Sequence, residues 1–411
     1  MSSKKVDPHK HEHYYRVWKE KLPQQKDLAA ANKKHLLNYL ADMEVGKNVS
    51  LSSKKGARSF GRLRNQGSKL YAIFRLLQIR EDVNDVAKVT EDQLLKFFND
   101  MSSGKVKSLR TKAVYTQAGN YVKSFKAFWH WYQIVQHKAG KPIPDITNYL
   151  DSKVDKPKFN YFTLNQLKIL CDNSKLYYKT LMMFMFDSGI RSPTELMNVR
   201  LKDLEWLEDK NRYQLDIRAE TSKTFGRKIK LMLCSPVLKQ YIKQENLKPN
   251  DYLFAEKTRH AINSYLREIG FNLLGIGKQS KKKLAGGKTR KWVSTGLTMY
   301  DFRHSSACYW IKIYKTQSAI LYRFGWKKME MLLYYTEFMG MTDTIQDEDL
   351  YVDISKTELE KQIAKVQRNA EIQEQKHQAE MDATKKLLAA QEKRMIAMFK
   401  KMVKSKKINS S

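Results

Sequence analysis

The residues best suited to chemistry lie in four short segments in the second half of the chain. In order, the segments read "DSGIRSPTELMNVRLKDLE", "ETSKTFGRKIKL", "LTMYDFRHSSACYW" and "FGWKKMEMLLYYTEFMG". They contain arginines, lysines and two adjacent tyrosines. Guanidinium groups offer planar forks of donors to phosphate oxygens, a lysine can protonate a departing oxygen, and a phenol can form a phosphoester. No carboxylate cluster of the metal-nuclease kind accompanies them, which agrees with metal-free attack on a phosphate.

Each residue taken alone has a simpler explanation. Lys223 is typical of a solvated hairpin lysine, and Trp326 is typical of core packing. Arg303 is harder to explain in this way, because "YDFRHSSACYW" otherwise indicates a buried helix start, where an unpaired arginine is costly. Helical periodicity does not choose between Tyr334 and Tyr335, since both lie off the apolar stripe of their predicted helix.

The elements that must position these residues are helices and one hairpin. "TLNQLKILCDN" begins with a threonine placed as an N-cap, and "LYYKTLMMFMFDSG" predicts a buried helix that ends at Gly189. "YQLDIRAETSKTFGRKIKLML" alternates apolar and polar residues around a glycine-containing turn, which predicts a β-hairpin or the edge of a small sheet. Helices return from "RHAINSYLREIG" onward, and a basic loop, "KQSKKKLAGGKTRK", interrupts them.

The first half of the chain is predicted to be helical. Stretches such as "HLLNYLADM", "LYAIFRLLQI" and "EDQLLKFFNDM" show apolar residues at three-and-four spacing. Residues 51–80 contain eight lysines or arginines and no acid, and residues 101–144 also lack acids. A solvated face ordinarily mixes charges of both signs, so these tracts indicate a surface that faces phosphates. The aromatic stripe through Phe125 and Phe128 favours a helix core over base stacking.

Composition points to the same kind of partner. The 411 residues include 77 lysines and arginines against 43 acids, a net charge of +34, so a phosphate polyanion is the leading partner by counterion release. An anionic membrane surface is the alternative, but apolar runs such as "LMMFMF" are far shorter than the roughly 20 residues of a spanning helix. We expect no signal peptide. Three scattered cysteines, Cys171, Cys234 and Cys308, predict neither disulfides nor a zinc site and fit a reducing cytoplasm.

The four segments, taken together and in order, resemble the catalytic domain of the tyrosine recombinase, or phage integrase, family. The resemblance covers roughly residues 160–340, and "FGW" and "YYTEF" resemble archaeal-type integrases in particular. It implies a mainly α fold with a small β-sheet, in which a helical core-binding domain precedes an α+β catalytic domain. A long C-terminal helix is expected to follow.

The resemblance implies a role for each matching residue. Arg191 and Arg303 correspond to the two conserved arginines, and Lys223 corresponds to the hairpin lysine that acts as a general acid. Trp326 occupies the position of a histidine or tryptophan, and its indole N–H is expected to support the phosphate. Tyr335 stands nine residues after Trp326 and 32 after Arg303, as the family's nucleophile does, and is therefore favoured over its neighbour.

Two positions depart from the family pattern. Glu195 corresponds to the acid that follows the first arginine, but it stands four residues after it, one more than is common. Tyr300 stands where the family usually has a histidine or lysine, with Arg303 and then His304 after it. A phenol is a poor base near neutrality because its pKa is about 10. Removal of the nucleophile's proton is therefore the step that the sequence supports least.

The leading hypothesis is a site-specific recombinase, the integrase of a mobile element, acting on double-stranded DNA. The resemblance implies a homotetramer, a 3′-phosphotyrosyl intermediate and a Holliday junction, with no metal, ATP, other cofactor, membrane or small-molecule substrate. The alternatives are a type IB topoisomerase, which shares the arginine, lysine and tyrosine set, and a noncatalytic DNA-binding protein descended from a recombinase. The expected location is the cytoplasm, in association with the nucleoid.

The predicted organisation has five parts. They are a flexible basic N-terminal tail (1–25), a helical DNA core-binding domain (26–140), a linker (141–158), the catalytic domain (159–345) and a C-terminal helical extension (346–411). The extension lacks proline and glycine from Ser355 to Lys407, which predicts one long helix that promotes assembly on DNA or holds DNA with its lysine-rich end. The predicted DNA contacts are Arg58, Arg62, Arg64, Lys69, Lys281, Lys282, Lys288 and Arg290.

Overall fold

The computed structural model describes residues 6–48, 55–154, 159–283, 289–314, 316–339 and Met381, without the side chains of Lys282, Lys283 and Arg290. The predicted C-terminal extension, residues 346–411, lies outside the described residues apart from Met381. No helix in the described part is long and apolar enough to cross a membrane.

The first half of the chain is helical, as the apolar spacing predicts. Its helices are α1 (His11–Lys21), α2 (Ala30–Val45), α3 (Phe60–Glu81), α4 (Glu91–Ser102) and α5 (Ala118–Lys138). A reciprocal capping box between Thr90 and Gln93 begins α4, since it satisfies two backbone N–H groups that the first turn leaves open. Phe125 and Phe128 are fully buried, which confirms that the aromatic stripe of α5 is core.

Helix α1 forms inside the segment that was predicted to be a flexible tail. The Tyr15 side chain is buried, and its hydroxyl donates to Glu44 Oε1 at 2.6 Å. Lys19 Nζ pairs with the same carboxylate at 2.7 Å. The prediction of a flexible tail is wrong for His11–Lys21. Their partner Glu44 lies on α2, too far along the chain for local charge and polarity to indicate the contact.

The second half mixes helices with short strands. The helices are α6 (Leu164–Asp172), α7 (Leu176–Ser188), α8 (Ser235–Gln244), α9 (Arg259–Leu274), α10 (Met299–Ile311), α11 (Gln317–Phe324) and α12 (Glu330–Phe338). The strands are β1 (Leu204–Leu207), β2 (Arg212–Ile217), β3 (Arg227–Lys230), β4 (Lys278–Lys283) and β5 (Thr289–Ser294). Two predicted boundaries are confirmed: Thr163 caps α6, and Gly189 ends α7 with φ +59°.

The predicted hairpin is part of a three-stranded antiparallel sheet in the order β1-β2-β3. Asp216 lies opposite Lys228 and Ile217 opposite Arg227, so the β2–β3 connection spans residues 218–226. Leu215 and Ile229 are opposite each other and buried, which fixes the sheet face that packs on the core. The loop that carries Lys223 is thus attached to a strand pair with a defined register.

The segment that was predicted to be a basic loop contains the antiparallel pair β4–β5. Lys281 lies opposite Lys291, and Lys282 lies opposite Arg290. Like charges directly opposite each other destabilise a strand pair, and lysine has low strand propensity. The local sequence therefore does not predict this hairpin. Contacts between β5 and α9 hold it on the rest of the protein.

The buried apolar residues of the described part form separate clusters. One extends from Tyr15 to Leu150, a second from Phe162 to Phe302, and a third from Ala307 to Tyr335. The described part of the predicted linker, residues 141–154, has no helix or strand, although Leu150 packs into the first cluster. Helix α10 packs on α7 and contacts α11 and α12, so these helices position the candidate site.

Candidate active site

The carbonyl ends of two helices hold the two predicted arginines. Arg303, on α10, is buried, and its guanidinium donates to the carbonyl oxygens of Gly189, after α7, and Phe324, the last residue of α11. Arg191 donates to the carbonyl of Gly325 at 2.6 Å. The last carbonyls of a helix lack intrahelical donors and carry partial negative charge, so they suit guanidinium groups.

Two of the carbonyls that bind the arginines belong to glycines whose backbone conformation disfavours other residues. Gly189 and Gly325 both have left-handed backbones, with φ +59° and +58°. A Cβ at Gly189 would lie 2.3 Å from a ring carbon of Phe324, and one at Gly325 would lie 3.2 Å from the Arg191 guanidinium. Both positions therefore need glycine, for backbone conformation and for space.

Glu195 links Arg191 to a buried arginine that sequence reasoning missed, Arg227. Glu195 Oε1 lies 2.9 Å from Arg191, and Oε2 lies 2.9 Å from Arg227. Burial opposes ionisation of Glu195, but the hydrogen bond and charge of Arg227, together with the charge of Arg191, lower its pKa to about 2. The four-residue spacing of Arg191 and Glu195 thus still gives an ion pair. The signal for Arg227 was its inward-facing register on β3, opposite the buried Ile217.

The loop that carries Lys223 is attached to this network on both sides. Ser222 Oγ donates to Glu195 Oε1 at 2.8 Å, and Thr224 Oγ1 donates to the Gly325 carbonyl at 2.9 Å. Lys223 itself is exposed. Its ammonium group is therefore presented to solvent from a loop whose two neighbouring residues bind the arginine framework.

Tyr335 lies on α12 and is 2% exposed. Its ring stacks on Trp326 with centroids 5.2 Å apart, and its hydroxyl lies 2.7 Å from His304 Nδ1. Burial raises the pKa of Tyr335 well above its ordinary value, although the positive charge of Arg303 opposes this. Burial, followed by the charge of Arg303, lowers the pKa of His304 to about 4. Both groups are therefore neutral near pH 7.

The remaining predicted residues of the site are arranged differently. Trp326 is buried and stacks on Phe324 as well as on Tyr335, so its described contacts are aromatic packing. Tyr300 is 54% exposed, and its ring forms a T-shaped pair with the His304 ring, with centroids 4.6 Å apart. The structure thus brings Arg191, Arg303, Trp326 and Tyr335 into one region, places Lys223 on an adjoining loop, and leaves Tyr300 at the surface.

The predicted DNA contacts of the first half lie on or just before α3. Arg62 is exposed, whereas Arg58, Arg64 and Lys69 are partly buried. The Arg64 guanidinium lies 4.7 Å from the ring centre of Tyr14, and Lys69 Nζ lies 3.5 Å from the Asn120 carbonyl. Arg62 is therefore the most accessible of the four, and two of the others already contact neighbouring elements.

The predicted DNA contacts of the second half centre on β4–β5. Lys281 is exposed on β4, while Lys288 and the side chains of Lys282 and Arg290 lie outside the described part. Lys291 and Trp292, on β5, are also exposed. The described part of this hairpin is thus a basic ribbon with an exposed indole.

Comparisons with known proteins identify the fold. A structure of a lambda integrase dimer bound to a COC′ core site matches with a TM-score of 0.52 and 14% identity, over 76% of this chain and 98% of that chain. XerH site-specific recombinase bound to a palindromic difH substrate gives a TM-score of 0.49 and 15% identity, over 82% of this chain and 95% of that chain. No family model matches the chain, and no curated protein matches it in sequence.

The match to lambda integrase shows that the chain has the tyrosine recombinase fold. The fold predicted from the four segments, mainly α with a small β-sheet, is therefore confirmed.

Proposed function

We propose that the protein is a site-specific DNA recombinase that cuts and rejoins DNA through a 3′-phosphotyrosyl bond. The observation that carries this proposal is the convergence of Arg191 and Arg303 on the carbonyls of Phe324 and Gly325, with Tyr335 beside them in the same helical region. The lambda integrase fold and the net charge of +34 support DNA as the partner.

The residues suit the chemistry in a defined order. The phenol oxygen of Tyr335 attacks the phosphorus, and Arg191 and Arg303 stabilise the negative charge that develops on the nonbridging oxygens. The bond from phosphorus to the 5′ oxygen breaks, and Lys223 supplies a proton to that oxygen. A 5′ hydroxyl reverses the sequence and releases the phenol. The phosphotyrosyl bond conserves the energy of the phosphodiester, so rejoining needs no ATP.

The wider proposal follows from the resemblance. The protein binds its recombination site as a homotetramer, passes through a Holliday junction and acts in the cytoplasm on nucleoid DNA. The α3 surface and the β4–β5 hairpin supply phosphate contacts, which position the duplex without reading its sequence.

A covalent trapping experiment tests the proposal. The protein is incubated in EDTA with nicked suicide substrates made from a library of element–host junctions, and protein-linked DNA is isolated and sequenced. We expect an adduct that Tyr335→Phe abolishes and that Tyr334→Phe, the matched neighbour, retains. Loss of the adduct in both or neither variant contradicts the assignment of Tyr335.

The same experiment distinguishes the alternatives. Relaxation of supercoiled plasmid without joining of two sites would indicate a type IB topoisomerase. Tight DNA binding with no adduct at any junction would indicate a noncatalytic DNA-binding protein.

A further inference from the structure

His304 contacts the reactive atom of the proposed nucleophile. Its Nδ1 lies 2.7 Å from the Tyr335 hydroxyl oxygen. The imidazole is buried and stacks on Phe159, with ring centres 4.1 Å apart and an angle of 11° between the planes, while the Tyr300 ring forms a T-shaped pair with it. The ring is therefore held in one orientation by neighbours from two other positions on the chain.

The direction of this hydrogen bond follows from the atoms available. A neutral phenol carries one proton, and a buried hydroxyl requires an acceptor for it. Among the described residues, His304 Nδ1 is the hydrogen-bond partner of the Tyr335 hydroxyl. Nδ1 must then accept, and the ring proton of the neutral imidazole resides on Nε2.

Tyr300 is not placed to accept the proton of the Tyr335 hydroxyl. It is 54% exposed and contacts the His304 ring through its own ring, not through its hydroxyl. A phenol is also a poor proton acceptor near neutral pH. The position that usually carries the family's histidine or lysine is therefore unsuited to deprotonating Tyr335 in this chain.

We propose that His304 accepts the phenol proton of Tyr335 during attack on the phosphate, an inference that rests on the proposed function. As the phenol oxygen bonds to phosphorus, its O–H bond breaks and the proton moves to Nδ1, which gives an imidazolium. The bond to the 5′ oxygen breaks at the same time, and that oxygen takes a proton from Lys223. Rejoining returns each proton to its source.

The free protein keeps this proton on the phenol. Burial raises the pKa of Tyr335, while burial and the charge of Arg303 lower the pKa of His304 to about 4. A phosphodiester between the two arginines adds a negative charge that offsets Arg303, which makes the imidazole more basic. A phosphodiester in the site thus favours transfer of the phenol proton to His304.

The tautomer can be measured without DNA. In protein labelled with 15N-histidine, the two ring nitrogens of a neutral imidazole give distinct chemical shifts that identify which one is protonated. We expect an Nε2–H tautomer for His304 and a change in the Nδ1 shift in Tyr335→Phe. A protonated Nδ1 would overturn the proposal, because that atom could not then accept the phenol proton.

The proton transfer is tested with the trapped DNA site and single-turnover cleavage. His304→Asn offers an amide oxygen at the Nδ1 position, which can accept a hydrogen bond but not a proton. We expect its cleavage rate to fall about 10²-fold or more, the usual scale of general base catalysis. A trifluorotyrosine at 335, whose phenol ionises more easily, should restore cleavage in His304→Asn more than it changes the parent protein.

The outcomes separate the possible roles. Equal effects of trifluorotyrosine in both backgrounds would make His304 structural, and a wild-type rate in His304→Asn would exclude it from the reaction. A larger loss in Tyr300→Phe, rescued by trifluorotyrosine, would assign the proton to Tyr300 and also overturn the proposal. If His304→Asn does not fold, rescue of His304→Ala by added imidazole replaces it, and absence of rescue counts against the proposal. An unmodified protein that forms no adduct contradicts the proposed function itself, whatever tautomer NMR shows.

Discussion

Replacing Arg227 with methionine removes a buried charge beneath the candidate site and leaves the Glu195 carboxylate buried. The Arg227 guanidinium donates to both Glu195 oxygens, at 3.3 and 2.9 Å, and to the Arg323 carbonyl at 2.9 Å. Removing one partner of a buried ion pair costs about 3–5 kcal/mol, and the pairing of Glu195 with Arg191, at 2.9 Å, compensates the buried carboxylate in part. We expect Arg227→Met to lower the free energy of unfolding by this amount.

The pKa of Glu195 gives the pH dependence of this contribution. Burial opposes its ionisation, but Arg227 and Arg191 lower its pKa from 4.5 to about 2. Because the folded-state pKa is depressed, the contribution to stability is present above pH 4.5 and is lost as the pH falls towards 2. At 1.36 kcal/mol per pKa unit, the net effect of burial and of both arginines is about 3 kcal/mol, of which Arg227 is the larger favourable cause. The difference between the parent protein and Arg227→Met should therefore be largest near neutrality and should shrink below pH 4.5.

Urea unfolding at pH 7 and at pH 3 measures both effects. Lys228→Met is the matched control, since Lys228 is the next residue of β3 and is exposed, and its change should stay within about 0.5 kcal/mol. Adding Glu195→Gln to Arg227→Met should recover part of the loss, because the buried charge that lacks one of its two arginine partners is then gone. The reasoning is refuted if Arg227→Met costs less than about 1 kcal/mol at pH 7, or if the two changes are additive.

Further predictions concern the basic hairpin and a glycine of the site. Lys281→Ala and Lys291→Ala should each lower the slope of log affinity for DNA against log salt by about 0.9, and equally for unrelated sequences; an unchanged slope would exclude these contacts. Gly189→Ala should destabilise the protein by roughly 2 kcal/mol more than Gly275→Ala, as measured by urea unfolding. Both glycines have left-handed backbones, but only the Cβ at Gly189 meets Phe324, at 2.3 Å, whereas Gly275 faces open space. Equal costs would show that backbone strain alone decides.

The sequence predicted those parts of the fold that depend on interactions between residues close together in the chain. The capping threonine of α6 and the glycine that ends α7 are confirmed because capping depends on residues a few positions apart. Helix α1 and the β4–β5 hairpin were missed because distant elements stabilise them. Tyr15 and Lys19 both bind Glu44 of α2, and β5 contacts α9. A sequence pattern that spans about ten residues cannot indicate contacts between residues this far apart.

The candidate site shows the same division. The four motifs in order predicted the arginines and the tyrosine as site residues. They did not predict which residues far apart in the chain contact one another. His304 and Tyr335 are 31 positions apart, and Arg227 and Glu195 are 32 positions apart. Sequence spacing gave no sign that either pair would meet. With Tyr300 where the family usually has a histidine or lysine, the sequence therefore indicated no proton acceptor for Tyr335. The structure places the His304 imidazole within hydrogen-bonding distance of the Tyr335 hydroxyl.

The two arginines bind main-chain carbonyl oxygens, and these contacts place few demands on side-chain identity. Arg303 binds the carbonyls of Gly189 and Phe324, and Arg191 binds the carbonyl of Gly325. A main-chain carbonyl is present whatever side chain the residue carries, so these contacts require the arginines, the backbone path and glycine at two positions, but little else. The helices around them can change most of their residues while apolar spacing is kept.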